Sequence, residues 1–123
     1  MRLIAAHDPT PDATLRLDNH DDVLARADAV RSAAVVELQF PKWTDGRAYS
    51  QAVLLRGRLR YTGEIHAIGE VLVDMLPLLR RCGFDAVRLR ADQNLETARR
   101  ALSFLPDHYQ RDPAAQRGAP TAA

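Results

Sequence analysis

The chain has 123 residues, of which 46% are hydrophobic and 27% are charged, and its formal net charge is +1. This length and balance suit one globular domain, and they exclude a general electrostatic attraction to nucleic acid or to an anionic membrane. The single cysteine, Cys82, cannot form an internal disulfide, and no apolar run approaches the roughly 18 residues of a membrane-spanning helix. We therefore expect a cytoplasmic protein with no membrane or nucleic-acid partner.

The first half of the chain alternates strand patterns with helix patterns. Residues 13–17 alternate apolar and polar side chains, which is typical of a half-buried strand. The acidic and amide residues at 18–22 are good helix-start residues, and apolar residues follow them at helical spacing. Residues 34–40 predict the second strand, which Pro41 ends, and residues 46–60 predict an amphipathic helix. The other face of this helix is basic and carries Arg47, Arg56, Arg58 and Arg60.

The third unit is the most apolar part of the chain. Residues 64–68 predict a strand, and the helix after it, at 71–82, is apolar on nearly every side. Pro77 lies inside this run and should kink the helix or split it, because proline removes a backbone donor. Gly83 is well placed as the C-terminal cap, since glycine readily adopts the left-handed conformation that closes many helices.

The fourth unit consists of a strand at 85–90 and a helix at 95–105. Arg88 and Arg90 alternate with apolar residues in this strand, which suggests that it lies at the edge of the sheet. Residues 111–123 are rich in Pro, Ala and Gln and show no apolar period, so they predict a disordered tail.

These patterns predict an α/β fold in one domain at residues 1–110, built from four βα units. Strands separated by helices of this length cannot pair as hairpins, so the sheet should be parallel. Four units can form either an open three-layer sandwich or an open half-barrel with helices covering it, and the sequence does not separate the two. In both arrangements ligands bind at the carboxyl ends of the strands.

The segment between the second strand and its helix lies at such a carboxyl end. Thr44 or Asp45 can cap the helix, and Gly46 permits an unusual turn. Free backbone N–H groups at the helix start, with Lys42 and Arg47, would favour an anion. The same residues are also ordinary turn and capping chemistry, so a purely structural role is the alternative.

Trp43 is the only tryptophan and lies in this predicted loop. An indole in a loop can act as a stacking surface or as a docking anchor for another protein. The candidate binding residues are therefore Lys42, Trp43, Thr44, Asp45, Gly46, Arg47 and Ser50.

Other chemistry has little support in the sequence. Neither a GxGxxG nor a GxxxxGK[ST] phosphate motif is present, and no flavin, haem, iron–sulfur or nicotinamide motif is visible. The four histidines show no metal-ligand spacing, so we expect no metal and no cofactor. No Ser-His-Asp or paired-carboxylate arrangement can be assembled from spacing, which leaves open whether the protein is an enzyme.

A family resemblance enters at residues 40–50, Phe-Pro-Lys-Trp-Thr-Asp-Gly-Arg-Ala-Tyr-Ser. This segment closely resembles the hallmark of the bacterial domain-of-unknown-function family 934. The resemblance extends over roughly residues 13–110 and includes the short motifs at 54–56, 63–64, 67–72 and 81–85. Trp43 stands where the family usually has phenylalanine.

The resemblance implies a pathway and names no catalytic residue. Members are typically encoded beside assimilatory sulfite reductase and are sometimes labelled probable oxidoreductases. It implies an accessory protein of sulfite and sulfate reduction that docks on sulfite reductase or its electron donor. The alternative is a small domain or enzyme that binds sulfite, sulfate or phosphate through Lys42, Asp45, Arg47 and Ser50. A homodimer that covers an exposed sheet face is a further option.

Overall fold

The fold is α/β, with a five-stranded, entirely parallel sheet and four α-helices, in a computed structural model that describes residues 1–105. The strands are β1 (Arg2–Ile4), β2 (Thr14–Leu17), β3 (Val35–Phe40), β4 (Glu64–Gly69) and β5 (Ala86–Arg88). The helices are α1 (Ala27–Ser32), α2 (Arg47–Gly57), α3 (Leu76–Cys82) and α4 (Leu95–Ser103). Short 3₁₀ turns at Val23–Arg26 and Val73–Met75 lead into α1 and α3. The predicted tail at 111–123 lies outside the described residues.

All four helices pack on one face of the sheet. The strand order is β1-β5-β4-β3-β2, so β2 to β5 lie side by side in chain order. One buried apolar cluster joins alternate strand residues such as Leu38, Ala67 and Val87 to residues of every helix, Val30, Ala52, Leu79 and Ala98 among them. The intervening strand residues lie on the opposite side, which we call the helix-free face. A three-layer sandwich, one of the two predicted alternatives, would need helices on both faces.

The connection from β1 to β2, residues 5–13, crosses the helix-free face. Parallel crossovers are right-handed, and this one moves along the sheet in the opposite direction to the others, so its handedness places it on the opposite side. Arg88, in β5, confirms this position. Its Nη1 donates to the carbonyl oxygens of Ala5 and Asp8, at 2.8 and 2.6 Å.

The strand at the N-terminus was not predicted, and it changes the position of β5. The pattern of Arg88 and Arg90 suggested an edge strand, but β5 lies between β4 and β1, so that prediction is wrong. Both arginines bind other parts of the protein instead of facing only solvent. Arg88 binds the connection, and Arg90, beyond the end of the strand, forms ion pairs with Asp92 and Glu70.

The proline and the glycine of the third unit behave as their chemistry predicts. The predicted helix at 71–82 is split, and α3 begins at Leu76 with Pro77 in its first turn, where a missing N–H leaves no hydrogen bond unmade. Gly83 closes α3 with a φ of 107°. A Cβ there would also approach the side chain of Arg56 at 2.8 Å, so glycine is required twice over.

Arg56 does not belong to an exposed basic face, and that prediction is wrong for this residue. Its side chain is only 2% exposed and pairs with the carboxylate of Asp85 at 2.5 Å. The same guanidinium donates to the carbonyl oxygens of Tyr61 and Gly63, each at 2.8 Å, and of Gly83 at 2.9 Å. Arg56 therefore fastens the end of α2 to the loops before β4 and β5.

Candidate functional site

The loops that follow β2 and β3 meet at the carboxyl end of the sheet. The buried Asn19 donates from Nδ2 to Asp45 Oδ2 at 2.7 Å. The other oxygen of Asp45 accepts the backbone N–H of Arg47 at 3.1 Å. Gly46 is the N-cap residue of α2, and neither predicted cap occupies that position. Asp45, one residue earlier, satisfies one N–H of the first turn, and no such hydrogen bond is found for Thr44 within residues 1–105.

Two further contacts fasten these loops to each other. Gln51, buried in α2, donates to the carbonyl oxygens of Asp18 and Asp21 at 2.8 and 3.0 Å. The guanidinium of Arg47 contacts the ring of His20 at 2.5 Å. Sequence patterns missed these partners, because residues at 18–22 were interpreted only as a helix start. The loop between β3 and α2 is therefore fastened to the loop that follows β2.

The predicted binding residues do not form one enclosed pocket. Exposed positions are occupied by Lys42, Trp43, Thr44, Gly46, Arg47 and Ser50, and Asp45 is half-buried. Arg47 lies 3.6 Å from Asp45, so part of its charge is neutralised. The Asp45 carboxylate also occupies the helix start, where a bound anion would have to lie. The indole of Trp43 is 54% exposed.

A second polar cluster, which the sequence did not reveal, lies on the helix-free face. Arg16, Glu37 and His66 stand in register on β2, β3 and β4, and we call them the polar row. Arg16 pairs with Glu37 at 3.0 Å, and His66 Nε2 lies 2.7 Å from Glu64 Oε1. Arg2 reaches the same Glu64 oxygen at 3.0 Å. The side chains of Glu37 and His66 are only 1% exposed.

The hydrogen bond between His66 Nε2 and Glu64 determines which ring nitrogen of His66 carries the hydrogen. This bond is the main cause of the lowered pKa of Glu64; burial raises that pKa, and the Arg2 guanidinium lowers it further. Glu64 is thus an ionised acceptor, and His66 Nε2 must carry the hydrogen. In a neutral imidazole the other nitrogen, Nδ1, is then an acceptor.

Three buried polar atoms on this face have no hydrogen-bond partner in the described part of the chain. They are Glu37 Oε2, His66 Nδ1 and Arg88 Nη2, on the adjacent strands β3, β4 and β5. Leaving one such group without a partner costs about 1–3 kcal/mol. Glu37 and His66 belong to strands that are far apart in sequence, and the register of β3 and β4 is what makes them neighbours.

Two negative findings apply to residues 1–105. No helix there is long and apolar enough to cross a membrane. No group of three or more His, Cys, Asp or Glu side chains is arranged to hold a metal ion in this range.

The fold and these clusters define a small parallel α/β domain with one braced loop surface and one helix-free polar face. The chain belongs to the family described as bacterial protein of unknown function (DUF934), whose model matches residues 14–119. The resemblance found in the hallmark segment at 40–50 is thereby confirmed. No curated protein and no solved structure matches the chain.

Proposed function

We propose that this protein is a cytoplasmic accessory protein of assimilatory sulfite reduction, which docks on sulfite reductase or on its electron donor. The pathway rests on the family resemblance. The docking role rests on one observation, the exposed indole of Trp43 on a loop whose neighbours are fixed by hydrogen bonds.

A braced aromatic residue is well suited to bind a protein. Tryptophan buries a large area on binding, and it is among the residues that contribute most to interfaces. Because Asp45 is held by Asn19 and accepts the N–H of Arg47, little backbone ordering remains to be done when a partner arrives. Lys42 precedes Trp43 in the chain and Arg47 follows four residues later; both are exposed and would favour a partner with an acidic surface.

The small-anion alternative has weaker geometric support. The Asp45 carboxylate accepts the N–H of Arg47, so an anion at the start of α2 would meet a negative charge. Lys42 forms no ion pair within residues 1–105, and Ser50 is exposed on α2. These residues offer a surface rather than an enclosing pocket, which is the shape that docking requires.

The experiment is complementation of a deletion strain that grows on sulfate as its sole sulfur source. We expect deletion to slow growth on sulfate and not on cysteine, and we expect the wild-type gene to restore it. Trp43→Ala should fail to restore growth and should lose capture of sulfite reductase or its donor. Leu78→Ala, a truncation of another exposed apolar residue, is the matched control and should behave as wild type. Unchanged growth after deletion, with no reductase component captured, would refute the proposal.

A further inference from the structure

An open cavity lies between the end of α1 and the loop that joins α2 to β4. Its volume is about 370 Å³, which is within the range of natural small-molecule sites. Three apolar residues line it, Val30, Ala33 and Leu59. Arg31 and Arg60 line it too, and none of its lining residues is acidic. The cavity therefore combines an apolar wall with two basic side chains.

Hydrogen bonds hold one wall of this cavity in place. The buried Tyr61 lines it, and the Tyr61 hydroxyl donates to the carbonyl oxygen of Ala33 at 2.9 Å. The backbone N–H of Tyr61 donates to the carbonyl oxygen of Leu55 at 2.8 Å. Gly63 makes room for this ring, because a Cβ there would come within 2.2 Å of the Tyr61 hydroxyl. A ligand would thus enter a cavity that is already formed, which lowers the entropic cost of binding.

Arg60 has a backbone conformation that favours glycine. Its φ is 53°, and Ala13 is the other non-glycine residue with a positive φ within residues 1–105. This conformation costs stability in any residue that carries a Cβ. Arg60 forms no ion pair within residues 1–105 that would offset the cost. Because residues in such conformations cluster at binding and active sites, the geometry favours a role for the Arg60 side chain in binding.

The charges around the cavity favour an anion. The Arg31 guanidinium lies 3.6 Å from the carboxylate of Asp28, but both side chains are exposed, so this pair is weak. The ends of α1 and α2 carry partial negative charge, but the carbonyl oxygens of Val30 and Leu54 there already accept backbone N–H groups. Two full positive charges therefore border the cavity, and guanidinium groups bind phosphate and carboxylate oxygens through paired N–H donors.

We infer that this cavity binds a small phosphate monoester with an apolar body. The phosphate carries close to two negative charges at neutral pH and accepts hydrogen bonds from Arg31 and Arg60, while the body packs against Val30 and Leu59. A carboxylate offers similar oxygens with less charge, so it is the weaker ligand. The lining residues precede β3 and β4, whereas Trp43 follows the carboxyl end of β3, so the site does not depend on the docking proposal.

The test is a titration of the ¹⁵N-labelled full chain with phenyl phosphate at neutral pH and low ionic strength. We expect saturable shifts of the amides at 30–33 and 59–63, with a dissociation constant of roughly 0.1–1 mM for a ligand of this size. Inorganic phosphate lacks the apolar body and should bind about tenfold more weakly. Benzoate should bind about threefold more weakly, and phenol, which lacks the charge, should give no saturable shift.

Two variants test the arginines. Arg60→Gly should bind phenyl phosphate about tenfold more weakly, yet it should unfold at the same or a higher urea concentration, because glycine accepts a φ of 53°. Arg31→Gln should weaken binding by about the same factor. Arg99→Gln is the matched control for Arg31, since Arg99 also pairs with a carboxylate three residues earlier but lies on α4, and it should bind as the wild type does.

The ligand series tests the wild-type chain whatever the variants do. Absence of a saturable shift with phenyl phosphate, or shifts confined to other parts of the chain, would overturn the inference. Equal affinity for inorganic phosphate or for benzoate would overturn the assigned ligand. Unchanged affinity in folded Arg60→Gly and Arg31→Gln variants would show that the arginines do not form the site. A lower urea midpoint for Arg60→Gly would contradict the argument from its backbone.

Discussion

Replacing Arg56 by methionine should remove a large part of the stability of this domain. The substitution keeps a similar apolar stem and deletes the donors that hold three carbonyl groups and Asp85. The Asp85 carboxylate, which is 15% exposed, would keep the backbone N–H of Ile65 at 2.9 Å and lose its positive partner. Removing one member of a buried ion pair costs about 3–5 kcal/mol.

That loss is easily measured by urea unfolding. A domain of this size has an m-value of roughly 1.5 kcal/mol/M, so a loss of about 4 kcal/mol lowers the midpoint by roughly 2–3 M. Arg58→Met is the matched control, because Arg58 is exposed and lies just beyond the end of the same helix. The free energy of unfolding of Arg58→Met should differ from that of the wild type by no more than about 0.5 kcal/mol. If the two variants unfold at the same urea concentration, the role assigned to Arg56 is incorrect.

Three other substitutions test separate parts of the structure. Glu64→Gln should lower the free energy of unfolding at neutral pH. Because the His66 hydrogen bond lowers the pKa of Glu64 from its ordinary 4.5, the difference in stability from the wild type should disappear as pH falls through that lowered value. A difference that is the same at neutral and acid pH would contradict this. Gly69→Ala should cost at least about 2 kcal/mol in urea unfolding, since φ is 99° and a Cβ would clash with the carbonyl oxygen of Phe40; a neutral effect would disprove the close approach. Asp45→Ala should cost about 2 kcal/mol, because the first N–H of α2 and the buried amide of Asn19 both lose their acceptor; a loss below about 0.5 kcal/mol would show that the loop is not braced there.

Most of the fold was predicted from short-range sequence patterns. Strands at 34–40 and 64–68, the helix at 46–60 and the cap at Gly83 appear within a few residues of their predicted bounds, because alternation and capping act over short distances. The strand Arg2–Ile4 was missed because three residues are too few to show alternation. Its pairing with β5 is what made the edge prediction fail.

The candidate site was harder to predict from the sequence, because it depends on contacts between segments that are far apart in the chain. Asp45 was named as a cap from its position alone, yet its second partner, Asn19, belongs to another loop. Glu37 and His66 become neighbours only through the register of β3 and β4. Arg56 was placed on a basic face because helical spacing does not show how far a long side chain can reach inward.

The position of β1 has a consequence for synthesis on the ribosome. Arg2–Ile4 is translated before the other four strands, yet its neighbour in the sheet, within residues 1–105, is β5, whose residues Ala86–Arg88 are translated much later. The family match begins at residue 14, so β1 also lies ahead of the matched segment. β1 therefore stays without its sheet partner until β5 has been synthesised. Its short length and its arginine keep that waiting segment from offering a long apolar edge to other nascent chains.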